Sequence, residues 1–336
     1  MNSAQPEIIL YGYAASPYTV KVDNILLLKQ IPYRRVNVAN VVDARPEISQ
    51  ALGIGYRRIP ICAIGNDVYC DTSLIASALE RRFPAARGFG TLFPNRKGSP
   101  RADPGLVKAV SKHWVDVIFP LAPALLPWER FPAAFVEDRS NLAGSKIRPE
   151  AIAANRSKAI SSLAAHLNLV EEQLSDGRQW LLDTETPSLA DISVHFVYAW
   201  TKSLPGSKEL FDEQAFPNTL KWLETVTAKL EQLKGSMPPP QKINAADAAA
   251  IIAAASFEPV HVVGFDEREA ARLGLKAGIQ VSVTPDDSGR AHPTVGKLIA
   301  LSREEFVLEV KAAGGPLHCH FPRVMFTAVP AQRSKL

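Results

Sequence analysis

The chain opens on a short apolar run, residues 7–11, whose length suits a strand. A helix is predicted from Pro17 to about Lys29. Ser16 is a good N-cap, Pro17 suits the first helical position, and Val22, Ile25, Leu26 and Lys29 repeat at helical spacing. Residues 33–38 alternate as a second strand, 59–64 read as a third with Pro60 near its start, and 68–70 as a fourth after an Asn66-Asp67 turn. A second helix runs from Thr72 to about Arg82, with Leu74, Ile75, Ala78 and Leu79 on one face. This order of strand, helix, strand, hairpin and helix predicts a small α/β unit.

Residues 93–103 are polar and rich in breakers, which marks a linker. Beyond them, to about residue 235, the pattern is helical throughout, with stretches at 106–117, 151–174, 189–201 and 219–233. Asn218 caps the last of these, and Ser188 with Asp191 forms a capping box before Ile192, a structural feature rather than a chemical one. Residues 235–241 are a second linker, and the alanine-rich tract 245–255 has high helix propensity. After Gly274 the character changes. Segments 280–284, 295–301, 306–310 and 318–321 read as short strands, with a turn at Asp286-Asp287-Ser288-Gly289. Several short strands in one region suggest a small β-barrel. The expected fold class is a multidomain α+β chain: an α/β unit in 1–92, an all-α domain in 104–235, a small β-barrel-like domain in 245–330, and a tail in 331–336.

Length and composition sharpen this picture. The 336 residues have room for two or three domains, and a 46% hydrophobic, 21% charged composition excludes a disordered or collagen-like chain. A net charge of +4 without a dense basic block gives no reason to expect nucleic acid as a partner. Three cysteines make no disulfide scaffold and fit a reducing compartment. There is no secretory signal in the first ten residues and no apolar run long enough to span a membrane, so membrane insertion is not expected. The final residues Ser334, Lys335 and Leu336 form the tripeptide read by the peroxisomal import receptor, so delivery to the peroxisomal matrix is expected.

Four local patterns point to one family. Tyr11, followed by Ser16-Pro17-Tyr18-Thr19-Val20-Lys21-Val22, resembles the first strand and first helix of a glutathione transferase. Arg45-Pro46-Glu47 and Arg58-Ile59-Pro60 resemble that family's Lys-Pro-Glu and Lys-Val-Pro segments. Asp71-Thr72-Ser73-Leu74-Ile75 resembles its Glu-Ser-x-x-Ile motif, and Ser188-Leu189-Ala190-Asp191 its helical-domain box. The resemblance covers about residues 7–234 and implies a thioredoxin-like domain followed by an all-helical, glutathione-transferase-like one. The remaining part, with residues 278–285 and His320-Phe321-Pro322-Arg323, resembles an extension on some fungal transferase-like proteins, and implies no activity.

The resemblance assigns roles. Ser16 takes the position of the residue that stabilises the glutathione thiolate, by a hydrogen bond and the dipole of the helix it begins. Its competing reading is a plain N-cap, and Tyr11 is the alternative thiolate partner. Serine in place of cysteine argues against mixed-disulfide reductase chemistry. Ile59-Pro60 matches the cis-proline whose preceding backbone pairs with glutathione, although the sequence does not reveal the isomer. Asp71 and Thr72 suit the ammonium and carboxylate of the γ-glutamyl end, and equally a simple cap. Arg58 stands where a lysine holds the glycyl carboxylate, with Arg57 as a neighbouring competitor.

His113, Trp114, Phe119 and Trp128 fall where the hydrophobic substrate pocket is lined, although aromatic residues at helical spacing more often belong to a core. His318 and His320 share one strand face, and His292 is a conceivable third ligand; without a Cys-x-x-Cys motif no metal is expected. Cys62, Cys70 and Cys319 read as small core residues. The leading expectation is a glutathione transferase-like homodimer that attacks a hydrophobic electrophile with the glutathione thiolate. The alternatives are a glutathione-dependent cis–trans isomerase or secondary-metabolite tailoring enzyme, and a non-catalytic binding protein.

Overall fold

The computed structural model describes residues 5–40 and 45–331, so the Ser334, Lys335 and Leu336 signal lies outside the described residues. The first unit runs β1 (Ile8–Tyr11), α1 (Pro17–Lys29), β2 (Arg34–Val36), α2 (Pro46–Ser49), β3 (Ile61–Ile64), β4 (Asp67–Cys70) and α3 (Thr72–Arg82). β1 pairs parallel with β2 and antiparallel with β3, and β3 pairs antiparallel with β4. This is the thioredoxin-like arrangement expected from the sequence.

The middle of the chain is helical: α4 (Pro104–His113), α5 (Ala133–Ala143), α6 (Pro149–Ala154), α7 (Arg156–Leu174), α8 (Leu189–Lys202) and α9 (Pro217–Gly235). The predicted helix at 106–117 ends earlier as α-helix and continues as a π turn over Trp114–Ile118, because Pro120 and Pro123 follow and remove backbone donors. The box at the start of α8 is present. Asp191 accepts from Ser188 N at 2.8 Å and, fully buried, also from Leu181 N at 2.8 Å and Trp222 Nε1 at 3.2 Å. Among the described residues no helix is long and apolar enough to cross a membrane.

The last part contains β5 (Gln241–Lys242), α10 (Ala245–Ala254), α11 (Glu267–Arg272), β6 (Gln280–Pro285), β7 (Thr294–Leu301), β8 (Glu305–Ala312), β9 (Gly315–Pro322) and β10 (Phe326–Pro330). Its strands do not close into the expected barrel. They extend the first sheet, giving one ten-stranded order β10-β6-β7-β8-β9-β4-β3-β1-β2-β5. The junction is a parallel pairing of β4 with β9 in register Asp67↔His318, Val68↔Cys319 and Tyr69↔His320. The unsatisfied edge of β4 is what the sequence conceals: pairing it with β9 leaves no long open edge there.

The alternation of β1 splits the core in two. Ile8 and Leu10 pack with α1, α3 and the helical domain, around Ile25, Leu26, Leu79 and Val194. Ile9 and Tyr11 face the other way, onto a core shared with Val281, Leu308, Cys319 and Phe321 of the last part. The carboxy-terminal strands therefore bury the second face of the first unit.

The junction also carries a buried ionic network. Asp67, fully buried, accepts from Arg82 Nη1 at 3.0 Å and from Glu258 N at 2.6 Å, with His318 Nδ1 at 3.4 Å. Arg81 bridges Glu258 at 2.8 Å and Glu305 at 3.0 Å. His318 and His320 thus serve this junction, and His292 lies apart, 3.0 Å from Arg57.

Candidate active site

Three segments leave one edge of the sheet side by side. The register pairs Tyr11 with Ile61 and Ile61 with Cys70, so the loop after β1, the turn before β3 and the segment after β4 emerge together. They carry Ser16, Ile59-Pro60 and Asp71-Thr72.

The first segment is tightly seated. A Cβ on Gly12 would lie 2.5 Å from Thr19 Oγ1, so only glycine lets the strand end approach α1 this closely. Ser16 is the N-cap of α1: its Oγ lies 3.4 Å from the Thr19 N–H it accepts from, and Pro17 begins the helix. The hydroxyl is almost fully buried, and accepting this bond leaves its own proton free to donate. Tyr11 does not share the site. It lies in the second core, fully buried, its hydroxyl has no partner among the described residues, and burial pushes its pKa well above the ordinary phenol value. The alternation of β1 thus corrects its assignment as a thiolate partner.

The Ile59-Pro60 bond is cis. Asp71 has a φ of +73°, a conformation that disfavours side chains other than glycine's. It caps α3 by accepting from Ser73 N at 2.9 Å and from Ser73 Oγ at 2.5 Å. Thr72 accepts from Lys21 Nζ at 3.1 Å.

Lys21 is the residue that sequence reasoning missed. It is 2% exposed and, among the described residues, meets the Thr72 hydroxyl and the Phe196 ring at 5.5 Å but no carboxylate. Lys29, equally buried on the same helix, is instead paired with Glu80 at 2.6 Å. Burial lowers the Lys21 pKa to about 8, against the opposing pull of Asp71 and Asp116. The signal was present: Lys21, Ile25 and Leu28 fall on one helical face, so a lysine sits in an apolar stripe.

Lys21, Asp71, Thr72 and Ser73 line a cavity of about 290 Å³. Its second wall is α4, with Lys108, Lys112 and Asp116, and its third comes from the last part of the chain, with Arg303, Glu304, Pro322 and Val324. Lys108 is bound to Glu304 at 2.6 Å across two of these walls. A second cavity of about 410 Å³ is lined by Ala14, Ala15 and Pro17 and walled by Phe196 and Trp200; Ser16, between Ala15 and Pro17 in the chain, lines neither cavity.

The remaining predicted positions are placed differently. Arg58 points toward the loop between β6 and β7, where it donates to the Asp287 carboxylate and to Ser288 O, from Nε at 3.2 Å and from Nη2 at 2.5 Å. It is therefore already engaged. Arg57 turns inward to Asp138 at 3.1 Å. His113 is exposed and faces His166, and Trp114 packs against the core; neither cavity is lined by them. Phe119 stands in an aromatic group with Tyr18 at 4.5 Å and Trp200 at 5.3 Å, behind the second cavity rather than on its surface. Trp128 is buried, donating to Pro123 O at 2.7 Å. The α-helix gives way to a π turn at Trp114–Ile118 and to 3-10 turns at Phe119–Leu125 and Trp128–Arg130, so spacing along one continuous α-helix misplaces these side chains.

Residues 10–87 match the model of the glutathione S-transferase N-terminal domain, and residues 119–234 match one described as a domain of unknown function (DUF7962). No curated protein matches the chain. Among solved structures, a GST-like protein from Pseudomonas syringae is similar over 97% of this chain and 100% of its own, at 25% identity and a TM-score of 0.72. That bacterial likeness includes the carboxy-terminal sheet, so the extension is not confined to fungal proteins. The tau-class glutathione S-transferase of mango, Mangifera indica, is 14% identical, with a TM-score of 0.48 over 69% of this chain and 99% of its own. A glutathione transferase from Burkholderia graminis, with two glutathione molecules bound per subunit, is 20% identical, with a TM-score of 0.48 over 67% of this chain and 88% of its own. Residues 10–87 thus match the transferase N-terminal domain, and nearly the whole chain is similar to a GST-like protein.

Proposed function

We propose that this chain binds glutathione and directs its thiolate at an electrophilic carbon of an apolar small molecule. The observation that carries the reading is the shared sheet edge from which Ser16, Ile59-Pro60 and Asp71-Thr72 emerge, within the matched transferase domain. A free thiol has a pKa of about 8.5, and the thiolate is the nucleophile. The Ser16 hydroxyl donates to the sulfur anion, and the first turn of α1 adds a favourable dipole. The backbone of Ile59 pairs with the peptide, Asp71 takes the γ-glutamyl ammonium, and Thr72 with Lys21 takes its carboxylate. The electrophile fits the cavity beside Ser16, against Phe196 and Trp200.

Calorimetric titration of glutathione into the protein, with Ser16→Ala and Asp71→Ala alongside, tests this. Binding that weakens in Asp71→Ala, with thiol ionisation lost in Ser16→Ala, is the expected result. No heat and no thermal shift at saturating ligand sinks the reading. The homodimer and delivery to the peroxisome through Ser334-Lys335-Leu336 belong to the same proposal. Sedimentation, and a fluorescent fusion with and without those three residues, test them.

A further inference from the structure

We propose that the cavity between α1 and α8 takes an uncharged aromatic molecule bearing a hydrogen-bond donor beside an acceptor, as a carboxamide has, and that Asn24 is the residue that selects it. This names the class of the second substrate, and rests on the glutathione reading above only in calling the molecule a substrate. Pro17, Val20 and Asn24 follow one another by three and four residues, so they share one face of α1. His195, Ala199 and Ser203 are four apart and share one side of α8 and its cap. Between the two faces, the small side chains of Ala14, Ala15 and Ala199 leave a space of about 410 Å³.

The lining of this space carries no charge. Among the described residues that line it none is Asp, Glu, Lys or Arg, whereas the first cavity holds Lys21, Asp71, Lys112, Arg303 and Glu304. His195 is neutral as well, because burial lowers its pKa to about 4. Its Nε2 lies 2.8 Å from Thr227 Oγ1, whose own proton goes to Leu223 O at 2.8 Å, so Nε2 is the donor and is spent on α9. An ion entering here loses its hydration and gains no partner of opposite charge. An aromatic ring instead meets Phe196 and Trp200, each stacked on Phe119, at 5.7 and 5.3 Å.

Asn24 is the polar head left to the cavity. It is 8% exposed, it lines the space, and its amide makes no hydrogen bond among the described residues. Ser203, by contrast, is bound to Trp200 O at 2.7 Å. Buried polar side chains are nearly always paired, so an open amide set in an apolar wall marks a place where a ligand's polar group belongs. The asparagine offers a carbonyl acceptor and N–H donors side by side. A carboxamide on the ligand matches both at once. An analogue without the donor leaves the Asn24 carbonyl unpaired, which is how such a site discriminates.

The test is equilibrium dialysis of the full chain at neutral pH against 2-naphthamide, methyl 2-naphthoate and 2-naphthoate, which share one ring system. The amide is expected to bind about 10-fold more tightly than the ester, and the carboxylate more weakly than either. Asn24→Leu is expected to abolish the preference of amide over ester, and Ala199→Leu, which fills the space, to weaken both. An ester that equals the amide in the unaltered protein, a carboxylate that binds most tightly, or an Ala199→Leu variant with unchanged affinity overturns the inference. If Asn24→Leu does not fold, the three probes in the unaltered protein decide the question. Calorimetric titration of glutathione into the same preparation keeps the two readings apart. Glutathione binding without an amide preference overturns this inference alone, and an amide preference without glutathione binding overturns the glutathione reading alone.

Discussion

His320 joins two carboxylates from opposite sides of the sheet junction: its Nδ1 lies 2.7 Å from Glu305 Oε2 and its Nε2 3.2 Å from Asp67 Oδ1. Both ring nitrogens face acceptors, so the imidazolium is the form this arrangement holds. Burial alone would lower the His320 pKa, but the bonds to Asp67 and Glu305 outweigh it and the net shift is upward. For Asp67 and Glu305, burial pushes upward and the histidine bonds, His318 included for Asp67, outweigh it, so both are held below the carboxylate range. Replacement by His320→Gln leaves buried acids short of a cation and is expected to cost about 3 kcal/mol.

The pH dependence of that loss has a defined sign. A raised histidine contributes fully below its unfolded value of about 6.5 and loses its contribution as pH rises through the folded value. The lowered acids contribute fully above about 4 and lose theirs as pH falls. The stability gap between the unaltered protein and His320→Gln is therefore widest between about pH 4 and 6.5. Urea unfolding of both proteins across that range checks it; a gap independent of pH contradicts it.

Ser16→Ala separates capping from chemistry. Loss of the cap is expected to cost about 1 kcal/mol of stability. Turnover, once an electrophile is found, is expected to fall about 100-fold, because the donor to the thiolate is gone. The ultraviolet absorbance of bound thiolate, followed against pH, reads the same effect directly: the bound thiol returns to about 8.5.

Lys21→Met tests the buried ammonium. Glutathione is expected to bind about 10-fold more weakly, since a charged hydrogen bond to its γ-glutamyl carboxylate is removed. In the unaltered protein affinity falls as pH rises past the Lys21 value of about 8. The variant lacks that component, and the difference between the two titrations isolates it. An unchanged difference across that window removes Lys21 from the site.

Asp71→Gly is expected to move stability and binding in opposite directions. Glycine relieves the φ of +73° and gains about 1 kcal/mol, while the lost cap costs only a few tenths. The ammonium partner is lost with it, so glutathione binds more weakly. A variant that is both less stable and equally competent contradicts the view that the strain serves the site.

Much of this was legible along the chain. Ser16-Pro17, the apolar stripe of α1 and the box at Ser188 and Asp191 are local signals, and local physics decides them. The cis state of Ile59-Pro60 and the orientation of Tyr11 depend on how strands pair, which spacing does not specify. The carboxy-terminal strands were visible, but not their partner. Period-two alternation shows that a strand has a buried face, not which edge it joins, so β9 against β4 reads the same as a small barrel. Arg58 looked free because Asp287 lies 229 residues away in sequence.

The union of β4 with β9 has a bearing on how the chain is made. Asp67 meets His318 across a sequence separation of 251 positions (318 − 67), and Cys70 faces Cys319 at 3.9 Å across the same seam. Contacts so distant in sequence slow folding, because a long loop closes before they return any free energy. During synthesis the transferase-like portion emerges with the β4 edge bare, and it stays so until β9 has left the ribosome. The nascent protein is thus an unfinished sheet until β9 is made, with a bare strand edge that holdase chaperones can guard.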